Sequence, residues 1–502
     1  MTSHAVLGRP VGEAVGSGDG GRGRGRAWAV VAVVVAVMLA AGFWGLDRGS
    51  MWRDESATYD VAHRSVRQIL AMVRHVDAVH AVYYLFMHLW LLPGGGEVWM
   101  RVPSVLGMAA AAGLVAALGA RLWRPRVGLV AGLLFAATPL VTFYAQEGRS
   151  YAMVCAGVLL ATYCLVRAVE TGGRWWAGYA VAVPAAALLH EFAVLVLLAH
   201  GAALLLARTP RAVWRRWGIA AAVSGVLLAP LALYSKQQSG QVGWLQRPDW
   251  AAVWQLVRLF AGPVTGVVVG VLVLAVVGLV PGPGRPERGR LTVAAVAGPL
   301  AVLPPAALLL ASQQQPMYHE RYVLYALAGL PLLAAAGLER IAALLPGRWP
   351  AALLAGLAVA GAVLPQLPEQ RAARTLESRP DDLAGAARAV RAGAQPGDGV
   401  VFLARNYRAA WLAYPGDFRG LDDVTLAVGP LWSAGLRGEE RSPRRTRQAI
   451  LAKSRIWLVG RAGLSPRGAP AAIDRLAVLD EHFRVAETVH LHGLEVRLYL
   501  RR

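Results

Sequence analysis

Long apolar runs recur through the first 365 residues, and they limit what this chain can fold into more than any other feature. Many of these runs are about 17 to 21 residues long, which is the length an α-helix needs to cross a lipid bilayer. Within hydrocarbon every backbone N–H and C=O group must be bonded inside the protein, so such runs are expected to be helical. The sequence therefore predicts an α-helical, polytopic membrane protein.

The net charge of the chain is +21, from 51 basic and 30 acidic residues. A charge of this sign is compatible with nucleic acid or with a membrane surface. Many of the arginines lie in short loops between apolar runs, where anionic lipid headgroups are the expected partners. We therefore predict membrane lipids as partners, and no nucleic acid.

The basic loops also predict the orientation of the chain. Residues 1–26 are rich in Gly and Arg, so we expect a disordered basic tail, and Arg26 places that tail in the cytoplasm by the positive-inside rule. The segment 79–93 has only 15 residues, at the border between a span and an interfacial helix. If it does not cross, all later basic loops fall on the cytoplasmic side, so we predict that it does not cross.

This topology gives a multi-pass plasma-membrane protein with its N-terminus in the cytoplasm and its C-terminus outside. The membrane module covers residues 27–365, and its first outer loop covers 47–102. The eleven predicted spans are 27–46, 103–120, 127–144, 150–168, 175–190, 191–207, 217–234, 263–280, 291–311, 322–338 and 349–365.

Residues 366–502 change in character and predict a small extracytoplasmic α/β domain. The stretch "DDLAGAARAVRAGAQPGDGVVFLA" has the pattern of a helix, a Pro-Gly turn and an apolar strand. "RIWLVG" predicts a further strand, and "VAETVHLHGLEVRLYL" predicts a hairpin. The glycines of "RAGAQPGDG" follow a helix rather than a strand, so we interpret them as turn residues and not as a phosphate-binding loop.

Polar residues collect on the outer side of this topology. They are Arg53, Asp54, Glu55, Asp77 and His80 in the first outer loop, Gln146, Glu147 and Arg149 in the second, His190 and Glu191, Lys236, and finally His319, Glu320 and Arg321. Polar groups at the ends of spans are costly unless they are hydrated, paired or used. A cluster supplied by several loops is therefore a candidate site.

Some of these residues also have a simpler interpretation. Asp54 is able to cap the amphipathic helix that follows it, and Arg149 and Arg321 are able to extend to lipid headgroups. Lys236 fits a plain loop lysine. His190, like His88 in segment 79–93, fits a packing residue within a helix bundle.

Four motifs in this order resemble the GT-C superfamily of integral-membrane glycosyltransferases. They are "RDE" after the first span, "DAVHAVYY" at 77–84, "QEGRSY" at 146–151 and "ERYVLY" at 320–325. The nearest branch is that of protein O-mannosyltransferases, aminoarabinose transferases and actinobacterial mannosyltransferase-like proteins. The resemblance covers residues 27–365. "DAVHAVYY" departs from it, because it lacks the prolines common in this segment of the superfamily.

The resemblance implies transfer of a sugar, mannose-like, from a polyprenyl-phosphate donor to a hydroxyl of a lipid, glycan or protein acceptor. The implied catalytic residues are Asp54, as general base, and Glu55, as a partner for an arginine or for an acceptor group. Direct displacement with one carboxylate inverts the anomeric configuration. The implied substrate-binding residues are Arg53, Asp77, His80, Tyr84, Gln146, Glu147, Arg149, Tyr151, Glu320, Arg321 and Tyr322.

Asp54 and His80 are competent ligands for a divalent metal, although their spacing does not require one and the sequence requires no cofactor. The alternative function is a transporter or flippase of a lipid-linked sugar. Such a protein places its charged residues near the middle of the spans, often at broken helices. Here the charged residues lie at span ends, which favours the transferase.

Overall fold

A computed structural model describes residues 19–281, 287–346, 348–464 and 470–502. The first helix, α1, begins at Asp19, before the predicted start of the first span at residue 27. Residues 19–26 are therefore helical instead of belonging to the predicted tail. The rest of that tail lies outside the described residues.

Helices follow one another through the membrane module. In chain order they are α1 (Asp19–Phe43), α2 (Arg53–Ala62), α3 (Val66–Val73), α4 (Ala81–Trp90), α5 (Glu97–Leu122), α6 (Pro125–Ala137), α7 (Pro139–Ala145), α8 (Tyr151–Thr171), α9 (Arg174–Leu189), α10 (Val196–Leu206), α11 (Arg211–Gln237), α12 (Trp250–Ala261), α13 (Thr265–Leu279), α14 (Val293–Ala311), α15 (Gly329–Ala342) and α16 (Arg348–Val363). Short 3-10 helices lie at Ala78–His80, Glu191–Leu195, Ser239–Val242 and Glu320–Ala328.

Every predicted span falls on a helix or on a broken helix. Among the described residues, seven helices are long and apolar enough to cross a membrane, and two bent pairs raise this number to nine. The other two predicted spans fall on α9 and on the shorter apolar helix Glu191–Leu206. The prediction of an α-helical polytopic membrane protein is confirmed.

Both bent pairs have a local cause in the sequence. The axes of α6 and α7 differ by 70°, and Thr138 between them has extended backbone because Pro139 disfavours helical geometry in the residue before it. The axes of α12 and α13 differ by 84°. Gly262 stands at that break with φ of +120°, a conformation that other residues avoid. The predicted span 127–144 passes through the first break, and the predicted span 263–280 begins directly after the second.

The first outer loop consists of α2, α3 and α4. The sequence suggested one amphipathic helix after Asp54, but the chain starts a new helix at Val66 because Ser65 and Gln68 form a capping box. Helix α4 has ten residues, which is about 15 Å of helix and half of a bilayer core. This length agrees with the prediction that the segment 79–93 does not cross.

The C-terminal domain combines short helices with a mixed sheet. Its elements are α17 (Leu367–Ala372), α18 (Leu383–Gly393), β1 (Gly399–Phe402), α19 (Ala409–Ala413), β2 (Asp422–Asp423), β3 (Leu426–Val428), β4 (Glu439–Glu440), α20 (Pro443–Leu451), β5 (Arg455–Arg461), α21 (Pro470–His482), β6 (Phe483–His490) and β7 (Leu494–Arg501).

The main sheet has the strand order β2-β1-β5-β7-β6. Strand β1 pairs in parallel with β2 and β5, whereas β7 pairs antiparallel with β5 and β6. Strands β3 and β4 form a separate two-stranded sheet. The predicted helix, strands and hairpin of this domain are confirmed.

The C-terminal domain and the first outer loop share one hydrophobic core. Met51 and Tyr83 of the loop pack in the same buried cluster as Phe402 of the domain. Hydrogen bonds cross the contact too: the Tyr414 hydroxyl donates to Glu97 Oε2 over 2.8 Å. The domain is therefore held against the outer loop by buried apolar contacts.

Glycine allows α13 and α15 to pack with their backbones in contact. A Cβ atom on Gly337 would lie 1.9 Å from the carbonyl oxygen of Leu274, and one on Gly278 would lie 2.1 Å from that of Leu333. Both distances are far below van der Waals contact. A side chain at either position requires the two helices to separate.

We therefore expect Gly337→Ala to lower the temperature of unfolding of the purified protein, with a cost of about 1 to 3 kcal/mol, which is typical of overpacking. Gly356→Ala is the matched control, because a Cβ there meets nothing within 4 Å. The control should be neutral or slightly stabilising, since alanine favours helix. Equal midpoints for the two variants would contradict the close contact of α13 with α15.

Candidate active site

The first turn of α2 points three adjacent charged residues in three directions. The Arg53 Nε atom pairs with Asp381 of the C-terminal domain at 2.6 Å. Asp54 pairs with Arg321 at 3.3 Å, and Glu55 pairs with Arg101 at 2.8 Å. Neighbouring residues on a helix diverge by about 100°, so the three side chains have separate environments. Of the three partners, only Arg321, which pairs with Asp54, is among the substrate-binding residues that the sequence predicts.

Asp54 does not cap α2. The helix begins at Arg53, and its N-cap residue is Trp52, which makes no side-chain capping bond. Asp54 Oδ2 instead accepts a hydrogen bond from Arg321 Nη1, and its side chain is 29% exposed. The carboxylate is therefore oriented towards the arginine and still open to an incoming group.

Glu55 is completely buried, and both of its oxygens are bonded. Oε1 accepts from Arg101 Nε and from the backbone N–H of Gly148, each at 2.8 Å, and Oε2 accepts from Arg101 Nη2 at 2.8 Å. Burial alone would raise the pKa of this carboxyl, but Arg101 and Arg379 outweigh it and lower the pKa below its usual value. Glu55 is thus a charged anchor between α2, α5 and the second outer loop.

Arg101 extends this anchor to the end of the first span. Its Nη1 donates to the carbonyls of Leu46 at 3.0 Å and Gly49 at 2.9 Å, and its Nη2 donates to that of Ser50 at 3.1 Å. These bonds fix the segment that leads into α2. The position of Asp54 therefore depends on a salt bridge one residue away.

Arg149 and Arg321 both lie beside Asp54. Arg149 Nη1 is 3.4 Å from the Asp54 carbonyl oxygen and 3.3 Å from Thr58 Oγ1. The Arg321 guanidinium is 5.8 Å from the centre of the Trp52 ring and 5.4 Å from that of Tyr151. Both guanidiniums are almost fully buried. Because protein encloses both side chains, the simpler interpretation of the two arginines does not hold.

Several hydrogen-bond donors in this region have no partner in the described part of the chain. They are Arg149 Nε, Arg321 Nε and Trp52 Nε1, all of them buried. A buried donor without an acceptor costs about 1 to 3 kcal/mol, and more if it is charged. Three such donors close to one carboxylate indicate a place for a ligand with acceptor oxygens.

Tyr84 and Asp77 line the same side of the site. The Tyr84 hydroxyl donates to Asp77 Oδ2 and is 3.4 Å from Arg149 Nη1. Asp77 itself has φ of +62°, a left-handed conformation that aspartate tolerates better than most residues. The pair connects the "DAVHAVYY" motif to the "QEGRSY" motif.

A cluster of aromatic rings lies beside these residues. The His80 ring centre is 5.7 Å from that of His190 and 6.3 Å from that of Tyr151. Tyr322 lies 4.6 Å from His190 and 6.3 Å from Tyr151. Burial, followed by the charges of Arg149 and Arg321, lowers the pKa of His80 well below its usual value, so its imidazole is neutral.

Gln146 and Glu147 face the protein interior. Gln146 Nε2 donates to the carbonyls of Gly42 and Trp44, both at 2.8 Å, and so ties the second outer loop to the end of α1. Both Glu147 oxygens are buried and accept no hydrogen bond from the residues that the structure describes, and Oε2 lies 3.6 Å from Arg379 Nη1. Burial raises the pKa of Glu147 from 4.5 to about 7, against the opposite effect of Arg379.

The remaining candidates are placed around the site. Glu320 Oε2 is 2.8 Å from His319 Nδ1, and Tyr144 donates to Glu320 Oε1 at 3.3 Å. Ser235 donates to Glu191 Oε1 at 2.7 Å, and Lys236 is exposed at the end of α11. His88 Nδ1 is 2.9 Å from the Ala62 carbonyl oxygen, which is a packing role.

The metal prediction rests on two residues only. No group of three or more His, Cys, Asp or Glu side chains within the described ranges is arranged to hold a metal ion. His80 Nδ1 is buried and unbonded, so this imidazole has a nitrogen free for a ligand. A metal bound by Asp54 and His80 stays a prediction.

Sequence reasoning missed four residues of the site: Trp52, Thr58, Arg101 and Arg379. Trp52 directly precedes the "RDE" motif, and Thr58 lies one turn after Asp54, so helical spacing could have found Thr58. No sequence pattern indicates that Arg101 or Arg379 belongs to the site. Each is a single arginine at the edge of a predicted element, and its partners are distant in sequence.

The pKa of Glu147 predicts a pH effect on stability. Between pH 4.5 and 7 the folded protein holds a proton that the unfolded chain has released, so this stabilisation is complete below pH 4.5 and is lost as the pH rises through 7. The effect is on the order of 3 kcal/mol. We expect the unfolding midpoint of the parent to fall further between pH 5 and pH 8 than that of Glu147→Gln.

Glu487→Gln, at an exposed position on β6, is the control and should follow the parent. The assignment is wrong if Glu147→Gln shows the same pH dependence as this control.

Comparison with known proteins gives matches in line with this geometry. Residues 79–234 match the family model described as dolichyl-phosphate-mannose-protein mannosyltransferase. This region includes the "QEGRSY" loop and most of the "DAVHAVYY" motif. No curated protein sequence matches the chain.

Solved structures match the chain over nearly its whole length. ArnT from Cupriavidus metallidurans in the apo state has a TM-score of 0.61 and 14% identity, covering 94% of this chain and 98% of that one. ArnT from the same organism bound to undecaprenyl phosphate has a TM-score of 0.60 and 15% identity, covering 93% and 97%. The resemblance predicted from the motifs is confirmed: the chain has the fold of the GT-C superfamily of integral-membrane glycosyltransferases.

Proposed function

We propose that this chain transfers a sugar from a polyprenyl-phosphate donor to a hydroxyl group of a lipid, glycan or protein acceptor on the outer side of the plasma membrane. The observation that carries the proposal is the convergence of two buried, incompletely bonded arginines on Asp54. A matching structure, ArnT, is described as bound to undecaprenyl phosphate. The matched family is described by a dolichyl-phosphate donor, mannose and a protein acceptor, which supports mannose as the sugar.

Arg149 and Arg321 are proposed to hold the donor phosphate. When the bond between the sugar and the phosphate breaks, negative charge develops on the leaving phosphate oxygen, and preorganised cations stabilise that charge. The free Nε donors of both arginines are available for phosphate oxygens. Their charges lie in a buried site, where an interaction is stronger than in water.

Asp54 is proposed to act as the general base. The acceptor hydroxyl attacks the anomeric carbon, its proton passes to the Asp54 carboxylate, and the phosphate leaves with the electrons of the broken bond. One carboxylate in a single displacement inverts the anomeric configuration. The partial exposure of Asp54 leaves room for the acceptor on the side away from Arg321.

We assign Glu55 a structural part in this reaction instead of the catalytic part that the motif implied. Its two oxygens already accept three hydrogen bonds, and it is fully buried. A proton acceptor needs a free lone pair within reach of the substrate. Glu55 therefore fixes the helix that carries the base.

The other residues of the cavity are proposed to bind the substrates. Tyr84 and Asp77 form a polar edge next to Arg149, and Tyr151 and Tyr322 offer ring faces near Arg321. Aromatic faces of this kind suit the apolar faces of sugar rings and of isoprene units. His80 adds no positive charge to the site, because its lowered pKa keeps the imidazole neutral.

Asp54→Asn tests the base directly. Asparagine keeps the shape of the side chain but cannot take the proton, so we expect a loss of roughly 100-fold or more in the rate of transfer. The measurement is sugar transfer from a synthetic polyprenyl-phosphate donor in proteoliposomes with matched amounts of protein. Asp47→Asn, at an exposed position after the first span, is the control and should keep the parental rate. Near-parental turnover by Asp54→Asn would sink the assignment.

Arg149→Ala and Arg321→Ala test the phosphate site. Each should slow transfer by an amount corresponding to about 2 to 4 kcal/mol, since each removes one charged donor from the leaving group. Lysine should restore activity only in part, because it lacks the planar fork of a guanidinium. Arg67→Ala, on the exposed face of α3, is the control. Unchanged donor use by both alanine variants would contradict the proposed phosphate site.

A further inference from the structure

A second group of arginines lies where α2 meets the C-terminal domain. It consists of Arg53 on α2 and of Arg405 and Arg437 from the domain. Arg53 pairs with Asp381, but within the described ranges Arg437 has only the neutral side-chain oxygen of Asn406, at 2.8 Å, as the acceptor for its side chain. Arg405 is exposed, and no carboxylate in the described part of the chain pairs with it. The group carries unneutralised positive charge.

The segment that carries Arg437, residues 429–438, is fixed over the first outer loop. Arg64, between α2 and α3, donates to the Gly435 carbonyl at 3.0 Å, and Arg408 donates to the Arg437 carbonyl at 2.9 Å. Leu436 packs against the buried cluster that contains Tyr84. Since Tyr84 is bonded to Asp77 and is close to Arg149, this segment lies next to the candidate active site.

The charges around Arg437 agree with this placement. Burial lowers the pKa of Arg437, the positive charges of Arg405 and Arg53 lower it further, and Asp54 and Asp77 act in the opposite direction. Asp54 and Asp77 are therefore near enough to affect Arg437. The like charges prevail over the acidic ones, and an added anion would relieve their repulsion.

The same segment exposes an aromatic side chain. Trp432 is 84% exposed, although tryptophan is usually well buried. Trp432 belongs to the C-terminal domain, beyond the last span, so burial in the hydrocarbon core of the membrane does not explain its exposure. An exposed indole in the segment that carries Arg437 offers a surface on which a sugar ring can stack.

We propose that Arg405, Arg437 and Trp432 form the acceptor site, and that the acceptor is a carbohydrate with an anionic group, a phosphate or a carboxylate, near the accepting hydroxyl. The proposal rests on the proposed function. Arg149 and Arg321 bind the donor phosphate on one side of Asp54, and the arginines of the C-terminal domain bind the acceptor on the other. The base then lies between the two substrates, as direct displacement requires.

Thermal unfolding of the full-length protein in lipid nanodiscs tests this site without knowledge of the natural acceptor. The first arm adds undecaprenyl phosphate, which should stabilise the parent and not Arg149→Ala. The second arm keeps undecaprenyl phosphate at saturation, so that the donor site is filled, and titrates glucose, glucose 6-phosphate, glucuronate or inorganic phosphate. We expect stabilisation by glucose 6-phosphate or by glucuronate and none by glucose. The more effective of the two identifies the anion.

Arg437→Gln and Arg405→Gln should each weaken this binding about tenfold or more, because a charge-assisted hydrogen bond is lost. Trp432→Ala should weaken the binding of the anionic sugar but leave that of inorganic phosphate unchanged. Arg419→Gln, at an exposed arginine of the same domain, is the control and should bind like the parent.

The outcomes separate the two proposals. If undecaprenyl phosphate stabilises the parent but neither anionic sugar adds to the effect, or if Arg437→Gln binds as the parent does, the acceptor site is wrong and the donor site stands. If undecaprenyl phosphate has no effect while the anionic sugar binds through Arg437, the donor assignment fails and the anionic-sugar site stands.

Discussion

The buried ion pair of Glu55 with Arg101 is the interaction on which the rest of the site depends. It joins α2, α5, the end of the first span and the second outer loop through bonds that leave no atom of the Glu55 carboxylate free. A buried pair of this kind adds little net stability compared with apolar packing, because both ions lose their hydration. Its value is geometric, since neither partner tolerates a shift of the other. Asp54 directly precedes Glu55, so its position is fixed by the same ion pair.

Arginines from two parts of the chain lie near Asp54. Arg149 and Arg321 are buried towards the membrane module, and Arg405 and Arg437 come from the C-terminal domain. The overall charge of +21 thus has a local counterpart in the site.

The sequence was sufficient for the fold class and for much of the site. Span lengths and basic loops predicted the helices, and polar residues at span ends predicted Asp54, Arg149 and Arg321 as neighbours of one another. Arg101, Arg379 and Arg437 could not be predicted in the same way. Their partners come from distant parts of the chain, and a single arginine in a loop has the same pattern whether it is solvated or buried. The difference between Asp54 and Glu55 could not be predicted either. Only the packing shows that the hydrogen bonds of the Glu55 carboxylate are already made.

The shared core of the first outer loop and the C-terminal domain has a consequence for biogenesis. Met51 and Tyr83 leave the ribosome early, but they are buried against Leu494, Val496 and Leu498 of the last hairpin. Until that hairpin has been made and has paired with β5, the helix bearing Asp54 lacks its contacts with the C-terminal domain. The arrangement of residues around Asp54 is therefore complete only when translation of this domain is complete, so a partly made chain lacks the finished site.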